Sequence, residues 1–169
     1  MTTLFEAAAE APGVLAQTNW PLVLTVLAAV IAPLLSGIGS AIGVGRAGQA
    51  ASGVVAEQPE RFGNCMVLQL LPGSQGIYGL AISILMLVTR GIMGGELPDM
   101  AGAFSLVFAG LMIGVGGLVS AIFQAKVAVS GINMLAKRAD GFGNAMMLTL
   151  MVETYALFAF LVSLFIVIA

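Results

Sequence analysis

The sequence predicts an all-α integral membrane protein whose four transmembrane helices form a tandem duplicated helical hairpin. Three observations predict it. Of 169 residues, 60% are hydrophobic and only 8% are charged, whereas soluble domains carry about 25% charged residues. Mean hydropathy is +1.09, and a soluble fold of this size would have to hide far more apolar surface than its interior can hold. Finally, the second half of the chain repeats the first at a fixed offset of 80 residues.

The elements follow in chain order. Met1 to Gln17 carries Glu6 and Glu10 but no Lys or Arg. A secretory signal needs a positive n-region, so residues 1–18 read as a short exposed segment and not as a cleaved leader. Four apolar stretches follow, from near Trp20 to Ser52, Phe62 to Thr89, Ala101 to Leu135 and Phe142 to Ala169. Each exceeds the roughly 20 helical residues that span about 30 Å of hydrocarbon. The first and third are longer than a span requires and should tilt or project. The chain thus divides into a first hairpin over 19–92 and a second over 93–169.

Short polar breaks separate the spans, so neighbouring helices should run antiparallel. The first break holds Glu57, Pro59, Glu60 and Arg61. The second holds Arg90, Glu96, Pro98 and Asp99, and the third Lys137, Arg138 and Asp140. Arg46, Arg61, Lys126, Lys137 and Arg138 gather at the first and third breaks, while Arg90 stands alone on the other side. The positive-inside rule then places those two loops in the cytoplasm and both termini outside. A bacterial inner membrane is the expected setting.

The repeat needs no gap. Gly37, Ser40, Ala41 and Ile42 recur as Gly117, Ser120, Ala121 and Ile122, and the basic Arg46 recurs as Lys126. Phe62, Gly63 and Asn64 recur as Phe142, Gly143 and Asn144, and Ser83 recurs as Ser163. Two hairpins in the same orientation are the implied architecture.

Several kinds of chemistry are excluded. The chain has no histidine, which removes histidine metal sites and histidine acid–base catalysis. It has no basic patch for nucleic acid. Its one cysteine, Cys65, makes no intrachain disulfide. Gly43-Val44-Gly45-Arg46-Ala47-Gly48 spells GxGxxG, but a dinucleotide site needs a preceding strand in a βαβ unit, and this copy lies inside an apolar helix. No nucleophile–base pair is visible, so no catalytic residue is expected.

Duplication makes differences between the copies informative. Glu153 stands where the first copy has Gly73, and it is the only acidic residue deep in any span. It lies about 15 Å into its helix at 1.5 Å per residue. A carboxylate there costs at least about 2.5–3.5 kcal/mol and marks a functional site. It must be protonated, paired or bound to a cation, and no Lys or Arg lies at its depth. Gln75, Ser74, Tyr78 and Gln124 are the other deep polar groups, and Gln124 has only Val44 as its counterpart. Amide and hydroxyl oxygens around one carboxylate make a hard, singly charged site that suits Na⁺ better than Mg²⁺ or Ca²⁺. Taken singly, each Gln has an equally good reading as an interhelical hydrogen bond. Pro72 and Gly73 interrupt the second span beside this cluster. Proline removes a backbone N–H, which points to the carbonyl of Leu68, four residues back. Rows of glycine, at 37, 39, 43, 45 and 48 and at 110, 114, 116 and 117, should let the first and third helices pack closely as an inner layer.

Together these features resemble the K subunit, or proteolipid, of V-type ATPases, over nearly all of the chain from about Trp20 to Ala169. The motifs are Leu-Leu-Pro-Gly-Ser-Gln-Gly-Ile-Tyr-Gly at 70–79, Phe-Gln-Ala-Lys at 123–126 and Met-Val-Glu-Thr-Tyr-Ala at 151–156. The likeness is greatest to the bacterial Na⁺-transporting branch. The resemblance implies a rotor ring of identical subunits that turns against a stator subunit bearing a basic residue. Central-stalk subunits would couple the ring to ATP hydrolysis or synthesis in a separate head, and membrane lipid would surround it. It also implies that Glu153, Gln124, Gln75, Ser74 and the backbone carbonyl of Leu71 hold the ion, with Tyr78 bonded to Glu153. The family often has Thr where this chain has Ser74, which keeps the oxygen and loses a methyl.

Two other readings stay open at this level. The same ring carrying H⁺ would need only Glu153, so Gln75, Gln124 and Ser74 discriminate. A structural or pore-forming oligomer would use Glu153 as interhelical glue, and Glu153→Gln would then preserve function.

Overall fold

The computed structural model describes residues 18–169; the expected N-terminal lead-in falls outside them, apart from Thr18. Among the described residues, four helical passages are long and apolar enough to cross a membrane: Trp20–Glu57, Pro59–Thr89, Met100–Lys137 and Ala139–Ile168. The first is a single helix, α1 (Trp20–Glu57). The second comprises α2 (Phe62–Leu70), a 3-10 turn over Leu71–Gly73, and α3 (Ser74–Thr89). Helices α4 (Met100–Lys137) and α5 (Phe142–Ile168) complete the bundle.

Local chemistry sets these boundaries. Asn19 caps α1 by accepting from Leu22 N at 3.2 Å, and Asp99 caps α4 by accepting from Gly102 N at 2.8 Å. Such side chains satisfy N–H groups that the first turn leaves unpaired. Helix α1 runs past the expected Ser52 to Glu57. The chain there is Ala- and Val-rich, and the stop comes at Gln58, because the residue before Pro59 is pushed out of the α region. At 38 residues, α1 and α4 are each about 57 Å long at 1.5 Å per residue and must project from the bilayer or tilt.

Pro33 and Pro72 lie in the interior of their spans, beyond the first turn, with different outcomes. Pro72 converts one turn of the second passage to 3-10 geometry. The restarting helix then has a free N–H at Gly76, which the Ser40 hydroxyl accepts at 2.8 Å. Pro33 leaves α1 continuous. It strips Ala29 of its helical donor, and Ser83 of α3 donates its hydroxyl to that carbonyl at 2.5 Å. The repeat carries the same staple, Ser163 to the Ala109 carbonyl at 2.8 Å.

Helices α1 and α4 share the most extensive contact, α3 lies on α1, and α5 lies on α4. Glycine permits the central approach. A Cβ at Gly39 would stand 2.5 Å from Leu118 Cα, and one at Gly110 would stand 2.7 Å from the Ala28 carbonyl. The expected glycine row packs only in part, because Gly37 and Gly45 face open space in the protomer. Gly43, within the GxGxxG stretch, lies against Pro72 and the Ala121 carbonyl. That stretch serves helix packing, and no strand precedes it among the described residues.

The bundle ends are tied down. Gln58 Nε2 donates to the Ala136 carbonyl at 3.0 Å. At the other end Arg90 donates through Nε at 3.0 Å, and also through Nη2, to the Val167 carbonyl. A cation there complements the negative end of the α5 dipole. Two apolar clusters fill the interior. One includes Ala28, Ile82, Met86 and Ile113; the other includes Leu68, Ile132, Leu135 and Ala145. The deep polar residues lie between the two along the chain.

Candidate functional site

Glu153 sits near the middle of α5, a 27-residue helix, and is only 8% exposed. Gln124 comes from α4, and the first turns of α3 bring Ser74, Gln75 and Tyr78. The Pro72 turn thus begins a new helix beside the carboxylate. Gln75 and Gln124 are fully buried.

The hydrogen bonds form one directed chain. Tyr78 donates its hydroxyl to Glu153 Oε1 at 2.5 Å, and its ring lies 5.5 Å from that of Phe160. Gln124 Nε2 donates to the Thr149 carbonyl at 3.2 Å and to Glu153 Oε2 at 3.4 Å. With its amide nitrogen so engaged, Gln124 offers Oε1, which accepts from Gln75 Nε2 at 2.5 Å. That fixes the Gln75 amide as well. Its Oε1 is turned elsewhere and is the one buried side-chain polar atom without a partner among the described residues. An unmatched buried acceptor costs about 1–3 kcal/mol, so a site that keeps one has a use for it.

Ser74 and Leu71 lie on the same restart. Ser74 Oγ donates to the Leu71 carbonyl at 2.9 Å, which leaves the hydroxyl lone pairs free to accept a cation. The Leu71 carbonyl also takes the Ser74 backbone N–H, so it already accepts two donors. No hydrogen bond joins either residue to Glu153. Leu68, where the proline argument alone pointed, lies fully buried in the apolar cluster.

Sequence reasoning therefore gathered Glu153, Gln124, Gln75 and Tyr78 correctly as neighbours. It missed the Thr149 carbonyl, which orients Gln124. A backbone oxygen gives no sequence signal, although Thr149 lies one turn before Glu153. Among the described residues no group of three His, Cys, Asp or Glu side chains gathers, and the only ion pair is the exposed Arg138–Asp140. The carboxylate is thus the one formal charge within a set of neutral oxygens.

Fold and site together define a class: a duplicated-hairpin membrane protein with one buried carboxylate in the middle of its last helix. Comparison with known proteins places it further. The family model for the C subunit of ATP synthase matches twice, over residues 27–86 and 107–166, in register with the internal repeat. The chain is 44% identical over 147 residues to the V-type sodium ATPase subunit K of Enterococcus hirae, covering 86% of this chain and 90% of that one. It is 36% identical over 143 residues to the A-type ATP synthase subunit K of Methanocaldococcus jannaschii, covering 85% of this chain and 61% of that one. The chain belongs to the ATP synthase C-subunit family.

Proposed function

We infer that this chain is the ion-carrying subunit of a V-type ATPase rotor ring, and that it moves Na⁺ across the membrane by reversible binding at Glu153. The observation that carries the reading is the unpartnered Gln75 Oε1, on an amide that donates to Gln124, which in turn donates to the buried Glu153. A proton needs only the carboxylate. A sodium ion needs several neutral oxygens, and Gln75 Oε1 and Ser74 Oγ offer them. The relationship to a sodium ATPase subunit supports the same ion. Gln124 Oε1 joins when Gln75 Nε2 gives way, and the Leu71 carbonyl joins when the Ser74 hydroxyl rotates from it. Tyr78 holds Glu153 in place.

The mechanism is electrostatic. With Na⁺ bound the site is neutral overall and can face lipid. Emptied and ionised it cannot, since a charge at mid-membrane is costly. Exposure of the bare carboxylate is confined to the stator, where a basic residue stabilises it. Each ion moved against 100 mV takes about 2.3 kcal/mol, which ATP hydrolysis in a separate head supplies. The stalk meets the ring at the first and third loops, which face the cytoplasm, with the C-terminus outside.

Equilibrium binding of ²²Na⁺ to the purified ring tests this. Bound Na⁺ should approach one per chain and vanish in Glu153→Gln, with the ring still assembled. Retention of Na⁺ binding by that variant would remove Glu153 from the site.

A further inference from the structure

One buried serine recurs in both copies and touches the same turn in each, by opposite chemistry. Ser40 lies on α1, and Ser120, its repeat partner, lies on α4. Ser40 Oγ accepts from the Gly76 N–H at 2.8 Å. Ser120 Oγ donates to the Val152 carbonyl at 3.1 Å. Gly76 and Val152 belong to equivalent turns of the repeat, 72–76 and 152–156. Pro72 explains the reversal. The second span restarts after its 3-10 turn and has a backbone donor to offer. Helix α5 is continuous through Val152 and offers only a carbonyl, so there the serine must donate.

Both anchored turns carry the site. Gly76 directly follows Gln75 and lies two residues from Ser74 and from Tyr78, and Val152 directly precedes Glu153. The two serines are themselves held at a fixed spacing, because α1 and α4 meet closely beside them. A Cβ at Gly39 would stand 2.5 Å from Leu118 Cα, and one at Gly43 would stand 3.0 Å from the Ala121 carbonyl. No side chain lies in these approaches to absorb a shift, and interiors packed this closely transmit displacement. A rigid path therefore runs from Gln75 through Gly76 and Ser40 into α1, across to α4, and through Ser120 and Val152 to Glu153.

We propose that Ser40 and Ser120 are positioning residues. They set the distance between the neutral oxygens of the first hairpin and the carboxylate of the second, and with it the size of ion that the site prefers. This rests on the Na⁺ reading and adds what tunes the site. Both serines bond to backbone, so they act through the helices and not as ligands. Selectivity between cations follows cavity size and ligand placement. A site that widens loses grip on Na⁺ before it loses grip on the larger K⁺.

Equilibrium binding of ²²Na⁺ to the purified ring, in competition with K⁺, tests the proposal. Ser120→Ala should weaken Na⁺ binding by about 3–20-fold, the span that interhelical hydrogen bonds in membranes cover. Its K⁺ affinity should change less, so the preference for Na⁺ over K⁺ falls. Ser40→Ala should move the preference in the same direction. Ser120→Thr keeps the hydroxyl and should restore it, because Ser120 borders a cavity of about 380 Å³ with room for the added methyl. Ser120→Cys keeps the volume and weakens the donor, and it reads the same preference should the alanine variant not assemble. Ser163→Ala is the control. It removes the same kind of bond between α5 and α4, to the Ala109 carbonyl at 2.8 Å, about 15 Å along α5 from Glu153 at 1.5 Å per residue. It should lower thermal stability and leave the preference unmoved. If the Ser40 and Ser120 variants shift the preference no more than Ser163→Ala does, the two serines are staples only and the proposal fails alone. A parent ring that binds no ²²Na⁺ would overturn the Na⁺ reading and the proposal with it.

Discussion

The two hairpins share a serine staple, yet only the second carries a carboxylate midway along its last span. The first has Gly73 in place of Glu153 and Val44 in place of Gln124. In exchange it has Pro72, where the second has Val152, and the helix restart that follows brings Gln75 and Tyr78 across to the other hairpin's carboxylate. The copies have specialised as halves of one site. The second supplies the carboxylate and Gln124, and the first supplies the phenol that donates to Glu153 and the amide that donates to Gln124. On the proposed reading, duplication followed by divergence makes one ion site from the two hairpins.

The largest expected effect breaks that division outright. Glu153→Gln should abolish ion transport in reconstituted vesicles while the ring still forms. Adding Gly73→Glu to that variant should not restore transport, because Val44 offers the relocated carboxylate no amide and stands 3.3 Å from a Cβ at position 73. Restoration would mean that the hairpins are interchangeable.

Tyr78→Phe removes the hydroxyl on Glu153 Oε1 and keeps the ring against Phe160. A hydrogen bond to a charged group contributes about 1.5–3 kcal/mol, so Na⁺ affinity should fall by about 10–100-fold in ²²Na⁺ binding. Gln75→Met keeps volume and deletes the unpartnered oxygen together with the Nε2 donor to Gln124. Its Na⁺ affinity should fall about tenfold, or about 1.4 kcal/mol, while proton carriage at low pH persists. Unchanged Na⁺ affinity would show that the first hairpin contributes no ligand there.

The smallest effect separates the two staples. Ser83→Ala leaves the Ala29 carbonyl without a donor, since Pro33 has no N–H, and should destabilise the protein in detergent by about 1–3 kcal/mol. Ser163→Ala leaves Ala109 its helical donor from Ile113, and should cost about 0.6 kcal/mol, the average for such bonds in membrane proteins. Equal losses would show that Pro33 creates no special demand.

Much of this was legible in the sequence. Hydropathy and spacing gave four spans, the ungapped repeat gave two hairpins, and the exception to the repeat gave Glu153. Some of the rest was present but unread. Pro33 lies four residues after Ala29, so proline geometry alone frees that carbonyl, although it does not name Ser83 as the donor. Other features had no sequence signal. The Thr149 carbonyl is backbone, the direction of the two amides depends on three partners at once, and the faces of Gly37 and Gly45 depend on helix rotation. Helix α1 outran its expected end because hydropathy marks the membrane, whereas Pro59 marks the helix.

Carbodiimide labelling of the purified ring across pH, with and without Na⁺, tests the central claim most directly. The reagent attacks protonated carboxyls in apolar surroundings, so Glu153 should be the labelled residue. The account predicts that Na⁺ suppresses labelling at fixed pH and ionic strength, because Na⁺ displaces the proton at that carboxyl. Labelling that follows pH alone and ignores Na⁺ would contradict it, and would make the ring a proton carrier in which Gln75 and Gln124 bind no ion.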